Sequence, residues 1–289
     1  MRLPDWIKTR STGLHPTKNL LRSHRLTTVC EEARCPNKGH CFSKPTATFM
    51  IMGDTCTRDC GFCSVSSGRP GCLDPEEPRR VAEAAKELEL KYVVVTSVTR
   101  DDLPDGGAAH FAATIRALRA ELPETRVEVL VPDFKGDTES VRTVLEARPD
   151  VFNHNVETVP RLYAGVRPQA DYRRTLDLLR AAKEIAPEVK TKSGLMVGLG
   201  ETIEELTDLF RDLRDAGCSL LTIGQYLRPS KMNLPVVEYI KPEVFEELKS
   251  LALALGFEFV ASGPLVRSSM NAEEMYETAN IAQDHQERA

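Results

Sequence analysis

The chain has 289 residues, a formal net charge of −5 and 28% charged residues. That length suits one (β/α) barrel-type domain or two small ones, and the mild acidity gives nucleic acid no electrostatic footing as a partner. No apolar run approaches a membrane span and Met1 to Arg10 lacks a signal peptide's apolar core, so a cytoplasmic protein with reduced thiols and no membrane partner is expected.

From Met1 to Lys44 no helical or strand period is sustained, and the stretch reads as an extended arm. From Pro45 onward, apolar β-branched runs alternate with amphipathic stretches. The strand candidates are Ala47–Met52, Tyr92–Val98, Val127–Val131, Val151–Asn155, Lys190–Val197, Leu220–Gln225 and a short seventh run, Phe257–Ala261. Between them lie helix candidates Pro75–Leu90, Ala108–Glu121, Thr138–Ala147, Asp171–Ile185, Thr202–Ala216 and Pro242–Leu255. Pro75 and Pro242 suit first helical turns, and Gly217 and Gly256 suit helix stops. In the first helix, Val81, Ala84, Ala85 and Leu88 share one face. Asp105-Gly106-Gly107 reads as the turn into the second.

Repeated βα units argue for parallel strands with right-handed crossovers. The fold expected is α/β, a partial (β/α)6 TIM-type barrel with N-terminal and C-terminal extensions. The division expected is an arm over residues 1–44, a barrel over 45–262 and an extension over 263–289. Functional groups of such barrels gather at the C-terminal ends of the strands.

Six of the eight cysteines fall in two triplets, Cys30-x4-Cys35-x5-Cys41 and Cys56-x3-Cys60-x2-Cys63. Each triplet is one thiolate short of a closed four-thiolate site. Iron–sulfur clusters are held by thiolates, and an iron without a protein ligand is open to another molecule. Structural zinc sites close with paired C-x2-4-C elements. Both groups here are triplets, not such pairs, and Cys72 and Cys218 lie outside both, so a non-catalytic zinc protein is the weaker reading. The six histidines offer no metal pattern.

The second triplet, with Phe62 before its last cysteine, resembles the signature of the radical S-adenosylmethionine (SAM) superfamily. There three thiolates hold three irons of a 4Fe-4S cluster, and the fourth iron chelates SAM. One-electron cleavage of SAM then yields a radical able to take hydrogen from an unactivated carbon. The first triplet resembles the auxiliary-cluster motif of the lipoyl synthase family. The likeness continues through Leu3-Pro4-Asp5-Trp6, the run from Val95 to Asp102, the run from Asn153 to Thr158, the run from Lys192 to Glu201, the run from Gln225 to Ser230, and Arg267-Ser268-Ser269. Biotin synthase-like enzymes share the SAM triplet and barrel, but the Cys30 triplet and the Arg267-Ser268-Ser269 ending argue against that alternative.

The resemblance implies insertion of two sulfur atoms at C6 and C8 of a protein-bound octanoyl-lysine, with sulfur supplied by the auxiliary 4Fe-4S cluster. It implies two 4Fe-4S clusters and SAM as cofactors. The partners implied are octanoylated carrier domains (a 2-oxoacid dehydrogenase E2 subunit or a glycine cleavage H protein), an electron donor such as ferredoxin or flavodoxin, and an iron–sulfur carrier protein. Cys56, Cys60 and Cys63 correspond to the SAM-cluster ligands. Cys30, Cys35, Cys41 and Ser269 correspond to the auxiliary ligands, with Ser268 as the neighbouring alternative for the serine. Met270 stands where the family carries tyrosine, and Asn233 where many members carry histidine; Asn233 is given no role.

For SAM, the expected contacts are Thr96, Ser97, Asn155 and Glu157 at strand ends, Arg167 at its carboxylate and Phe62 at its adenine. Lys192 and Arg228 are candidates to face the carrier or the substrate amide. The glycines of the run from Gly194 to Gly200 are expected to let the backbone approach a ligand. The arm is expected to fold back so that the acyl chain threads an apolar channel between the two clusters.

Overall fold

The computed structural model describes residues 3–7, 16–43 and 48–287. Its apolar runs form seven parallel strands: β1 (Thr48–Ile51), β2 (Tyr92–Ser97), β3 (Arg126–Leu130), β4 (Val151–Asn153), β5 (Lys190–Val197), β6 (Leu220–Gln225) and β7 (Phe259–Gly263). They pair in chain order, each strand lying beside its predecessor. Six helices make the crossovers: α1 (Glu77–Glu87), α2 (Ala108–Glu121), α3 (Thr138–Glu146), α4 (Tyr172–Ile185), α5 (Ile203–Asp215) and α6 (Pro242–Ala254). Among the described residues β1 and β7 do not pair with each other, so this is the expected partial (β/α)6 barrel, open on one side.

Strands covered on both faces read as nearly unbroken apolar runs; Val93 and Val95 of β2 and Val127 and Val129 of β3 are wholly buried. Three of these helix starts carry side-chain caps. Asp137 accepts from Glu139 and Ser140 N–H at the head of α3, and Thr202 and Glu205 form a capping box on α5. Gly217 and Gly256 stop α5 and α6 in left-handed backbone. Pro75 precedes α1; Pro78 occupies its first turn, because Asp74 accepts from Glu76 N–H and keeps the preceding residues in a turn.

Some boundaries differ from expectation. The start of the first strand at Ala47 and the Lys44–Pro45 junction lie outside the described residues. Strand β4 ends at Asn153, two residues early. Strand β7 begins at Phe259 because Phe257 N–H still bonds back to Ala252 O of α6.

The arm is not extended throughout. It holds the helices Pro16–Ser23, Val29–Glu32 and Lys38–Ser43, whose few residues are too short to show a period. It folds back through Thr27–Thr28, antiparallel to β1 with Thr28 opposite Phe49. The C-terminal extension carries a helix the sequence did not announce, α7 (Ala272–Glu287). Its Met275 and Ala279 pack on Val151 and Leu220, and the ring of Tyr276 lies 6.2 Å from that of Tyr92. These partners begin strands, so α7 covers the end of the barrel opposite the cysteine loop. Among the described residues no helix is long and apolar enough to cross a membrane.

Candidate active site at the mouth of the barrel

After β1 the chain turns through Met52 and Gly53 in left-handed backbone and delivers Cys56, Cys60 and Cys63 beyond the C-terminal ends of the strands. The loop is sewn to its neighbours. Thr57 N–H and Oγ1 both donate to Thr99 O at 3.0 Å, Gly61 N–H donates to Val166 O, and Gly61 O accepts from Leu234 N–H. Arg58 makes a paired contact with Asp101 at 2.7 and 2.9 Å. Cys56 Sγ accepts N–H groups of Arg58 and Thr99 at 3.4 and 3.3 Å. Burial pushes the Cys60 thiol up to about 12, against the pull of Arg167. Burial, with the neighbouring Cys56 and Glu157, pushes Cys63 up to about 11. Desolvated thiols of this kind ionise only when a cation replaces their protons.

The first triplet has the same character. Cys35 N–H donates to Cys30 O, and Cys41 N–H to Asn37 O. Burial, reinforced by Cys35, pushes Cys30 up to about 12. The two loops touch where Ser64 Oγ donates to Glu32 O at 2.5 Å. Among the described residues no three His, Cys, Asp or Glu side chains close around one point as they would around a single ion. A cluster spreads its ligands over separate irons, so two half-buried thiol triplets fit clusters better than zinc.

The Arg267-Ser268-Ser269 segment lies against the residues that end β4 and follow it. Ser268 Oγ donates to Asn155 Oδ1 and accepts from Asn153 Nδ2, both at 2.9 Å. Among the described residues Ser269 makes no such bond. Gly224 in β6 admits the segment, since a Cβ there would stand 2.3 Å from Val266 O.

Of the SAM candidates, Asn155, Glu157 and Arg167 come together. Asn155 Nδ2 donates to Glu157 Oε1 at 3.1 Å, and Arg167 Nη1 donates to Asn155 O at 2.9 Å while its guanidinium lies over the Tyr163 ring. Glu157 has left-handed backbone, φ 66, a conformation uncommon outside glycine. Burial pushes its carboxyl up, while Arg167 and Asn155 oppose that. Ser97 Oγ and Arg167 Nε are buried without partners among the described residues, so each has a bond left for a ligand. Phe62 packs against the buried cluster of Val166, Leu199 and Tyr226.

Thr96 differs from expectation in part, because its hydroxyl hydrogen goes to Leu130 O and leaves only the oxygen's lone pairs for a ligand. So does Gly194, where a Cβ would meet Thr222 Oγ1 at 2.5 Å and Asn155 Oδ1 at 2.8 Å. The room this glycine makes is taken by Asn155 and Thr222.

Lys192 and Arg228 need stronger correction. Lys192 is wholly buried in the barrel interior, with Nζ 3.0 Å from both carboxylate oxygens of Glu128. Tyr92 OH and Asn153 Nδ2 complete that carboxylate's shell at 2.8 Å each. A cation so paired does not face a carrier domain. Arg228 donates to Asn233 O and Lys231 O and staples its own loop. That loop lies on the second triplet, where Asn233 Nδ2 donates to Cys63 O at 2.7 Å. A cavity of about 450 Å³ lined by Asp101, Phe134, Lys135 and Asp137 opens on the outer rim, not between the triplets. Arg58, Asn233, Ser64 and Glu128 were missed in the sequence. Arg58 and Ser64 had a signal, their place within or beside the second triplet.

A parallel barrel with a three-thiol loop after its first strand defines a class, and the model of the Radical SAM superfamily matches residues 50–213. The fold agrees: methylornithine synthase superposes with a TM-score of 0.57 at 15% identity, covering 95% of this chain and 97% of that one. The Caldanaerobacter subterraneus subsp. tengcongensis lipoyl synthase is 59% identical over 275 residues, 94% of this chain and 96% of that one. The Rubrobacter xylanophilus lipoyl synthase is 58% identical over 279 residues, 96% of this chain and 87% of that one. The chain belongs to the lipoyl synthase family.

Proposed function

We propose a division of labour between the two triplets that serves this family's reaction, the insertion of two sulfur atoms at C6 and C8 of a protein-bound octanoyl-lysine. Cys56, Cys60 and Cys63 hold the SAM-binding 4Fe-4S cluster. Cys30, Cys35 and Cys41 hold the auxiliary one, with Ser269 as fourth ligand because Ser268 is engaged by Asn153 and Asn155. The observation that carries this reading is the contact of two three-thiol loops, one on the arm and one on the barrel, through Ser64 and Glu32 at the barrel mouth.

When bound, SAM and its reduced cluster supply a carbon-centred radical and the auxiliary cluster supplies sulfur. Hydrogens on saturated carbon lie beyond any protein base, so no side chain here is assigned as one. The chain's residues bind and orient instead. Arg167 meets the SAM carboxylate, Ser97, Asn155 and Glu157 its ribose and amino groups, and Phe62 its adenine. Thr96 offers its hydroxyl oxygen as an acceptor beside them.

The arm (1–44), barrel (45–262) and extension (263–289) thus contribute auxiliary thiolates, SAM site and serine respectively. The acyl chain enters between the triplets from an octanoylated carrier domain of the E2 or H-protein type. A ferredoxin or flavodoxin supplies electrons, an iron–sulfur carrier protein rebuilds the spent cluster, and the setting is cytoplasmic. Anaerobic reconstitution tests the cluster assignment. The full chain is expected to take up about eight irons, and about four when either triplet is changed to alanine. A colourless protein holding zinc alone overturns the reading.

A further inference from the structure

Asn37 sits in the turn between Cys35 and Cys41 and is buried, 5% exposed. Its backbone oxygen accepts Cys41 N–H, which fixes the residue to the auxiliary triplet. Its side chain bonds across 228 residues of sequence, where Nδ2 donates to Leu265 O at 2.6 Å. The same nitrogen lies 3.3 Å from Met270 Sδ. An amide carries two hydrogens, so both contacts are made at once. Leu265 and Met270 bracket Arg267-Ser268-Ser269, and Met270 N–H closes the turn onto Arg267 O at 2.9 Å. From the other side the segment is seated on the barrel, by Val266 O over Gly224 and by Ser268 between Asn153 and Asn155. Asn37 is the outer jaw of this vice.

We infer that Asn37 is a positioning residue which clamps residues 265–270 against the arm and thereby sets where the serine hydroxyl meets the Cys30, Cys35 and Cys41 thiols. The clamp stands on the geometry alone; its purpose rests on the assignment of Ser269 as a cluster ligand. Met270, standing where tyrosine is expected, supplies the clamp's second acceptor.

Hydrogen exchange on the reconstituted full chain tests the clamp. Asn37→Asp keeps the shape, removes both donated hydrogens and sets a carboxylate against Leu265 O; Asn37→Ala removes the donors without adding charge. Both are expected to speed amide exchange within residues 264–270 on the order of tenfold, as loss of a buried hydrogen bond does, while exchange in residues 190–197 marks an intact barrel. Parent-like exchange in 264–270 in either variant overturns the proposal. Iron release to a chelator separates the two claims. Faster release in both Asn37 variants and in Ser269→Ala supports clamp and ligand together. Faster exchange in the Asn37 variants with parent-like release in Ser269→Ala supports the clamp and overturns the ligand assignment.

Discussion

The Arg58 guanidinium donates to both carboxylate oxygens of Asp133, at 2.6 and 3.0 Å, and the Asp133 side chain is wholly buried. Burial works against that carboxylate, but hydrogen bonds from Arg58 and its charge hold the group well below the usual carboxylate range. The same guanidinium grips Asp101, so one side chain ties the second cysteine triplet to the segments that follow β2 and β3. Arg58→Met leaves Asp133 with Arg174 at 3.2 Å and the Lys135 N–H at 3.1 Å. The expected loss is about 3–5 kcal/mol, as for other broken buried pairs, and a double variant that also neutralises Asp133 should recover much of it. Chemical denaturation of the three proteins decides; equal stability of the single variant and the parent contradicts the account.

His154 predicts an acid-side slope. Its ring is enclosed, with Nδ1 2.8 Å from Val131 O and Nε2 3.2 Å from Thr175 Oγ1. Burial, then Arg167, pushes it down to about 4. Below pH 6.5 the unfolded chain takes up a proton that the folded chain refuses until about pH 4. Stability is therefore complete above pH 6.5 and falls toward pH 4, by at most about 3 kcal/mol. His154→Gln should flatten the pH dependence of the melting temperature in that window. Parallel curves for the two proteins would refute it.

The two serines are expected to fail differently. Ser269→Ala should still release 5′-deoxyadenosine from SAM but lose sulfur transfer on the order of tenfold or more. Ser268→Ala frees Asn153 and Asn155 inside the mouth and should disturb both. Full sulfur insertion by Ser269→Ala would remove that residue from the ligand set.

Gly224→Ala would place a methyl 2.3 Å from Val266 O, so residues 264–270 must lift from the barrel. Overpacking of this kind costs about 1–3 kcal/mol. A larger fractional loss of sulfur insertion than of SAM cleavage is expected from product analysis; equal losses would mean the segment does not depend on that seat.

The barrel was legible because strands buried on both faces carry an unmistakable apolar run, and the caps at Thr202 and Gly217 mark real helix ends. The helices Val29–Glu32 and Lys38–Ser43 were not, since a helix of one turn or two shows no period. Helix α7 was missed because its apolar residues Met275 and Ala279 are few among charges. In the site, the cysteines stand out by spacing alone. Lys192 was misjudged because alternation along a strand does not reveal its partner: Glu128, two strands away, accounts for its burial. Asn37 was invisible for the same reason, as its partners lie at the other end of the chain.

The most direct measurement is mass spectrometry of an octanoyl-lysine peptide after anaerobic reaction with SAM and dithionite, with 5′-deoxyadenosine counted alongside. The account predicts that the parent chain adds two sulfur atoms, and that the chain with Cys30, Cys35 and Cys41 changed to alanine still makes 5′-deoxyadenosine but adds none. Sulfur insertion by that variant, or none by the parent, would contradict the division of labour.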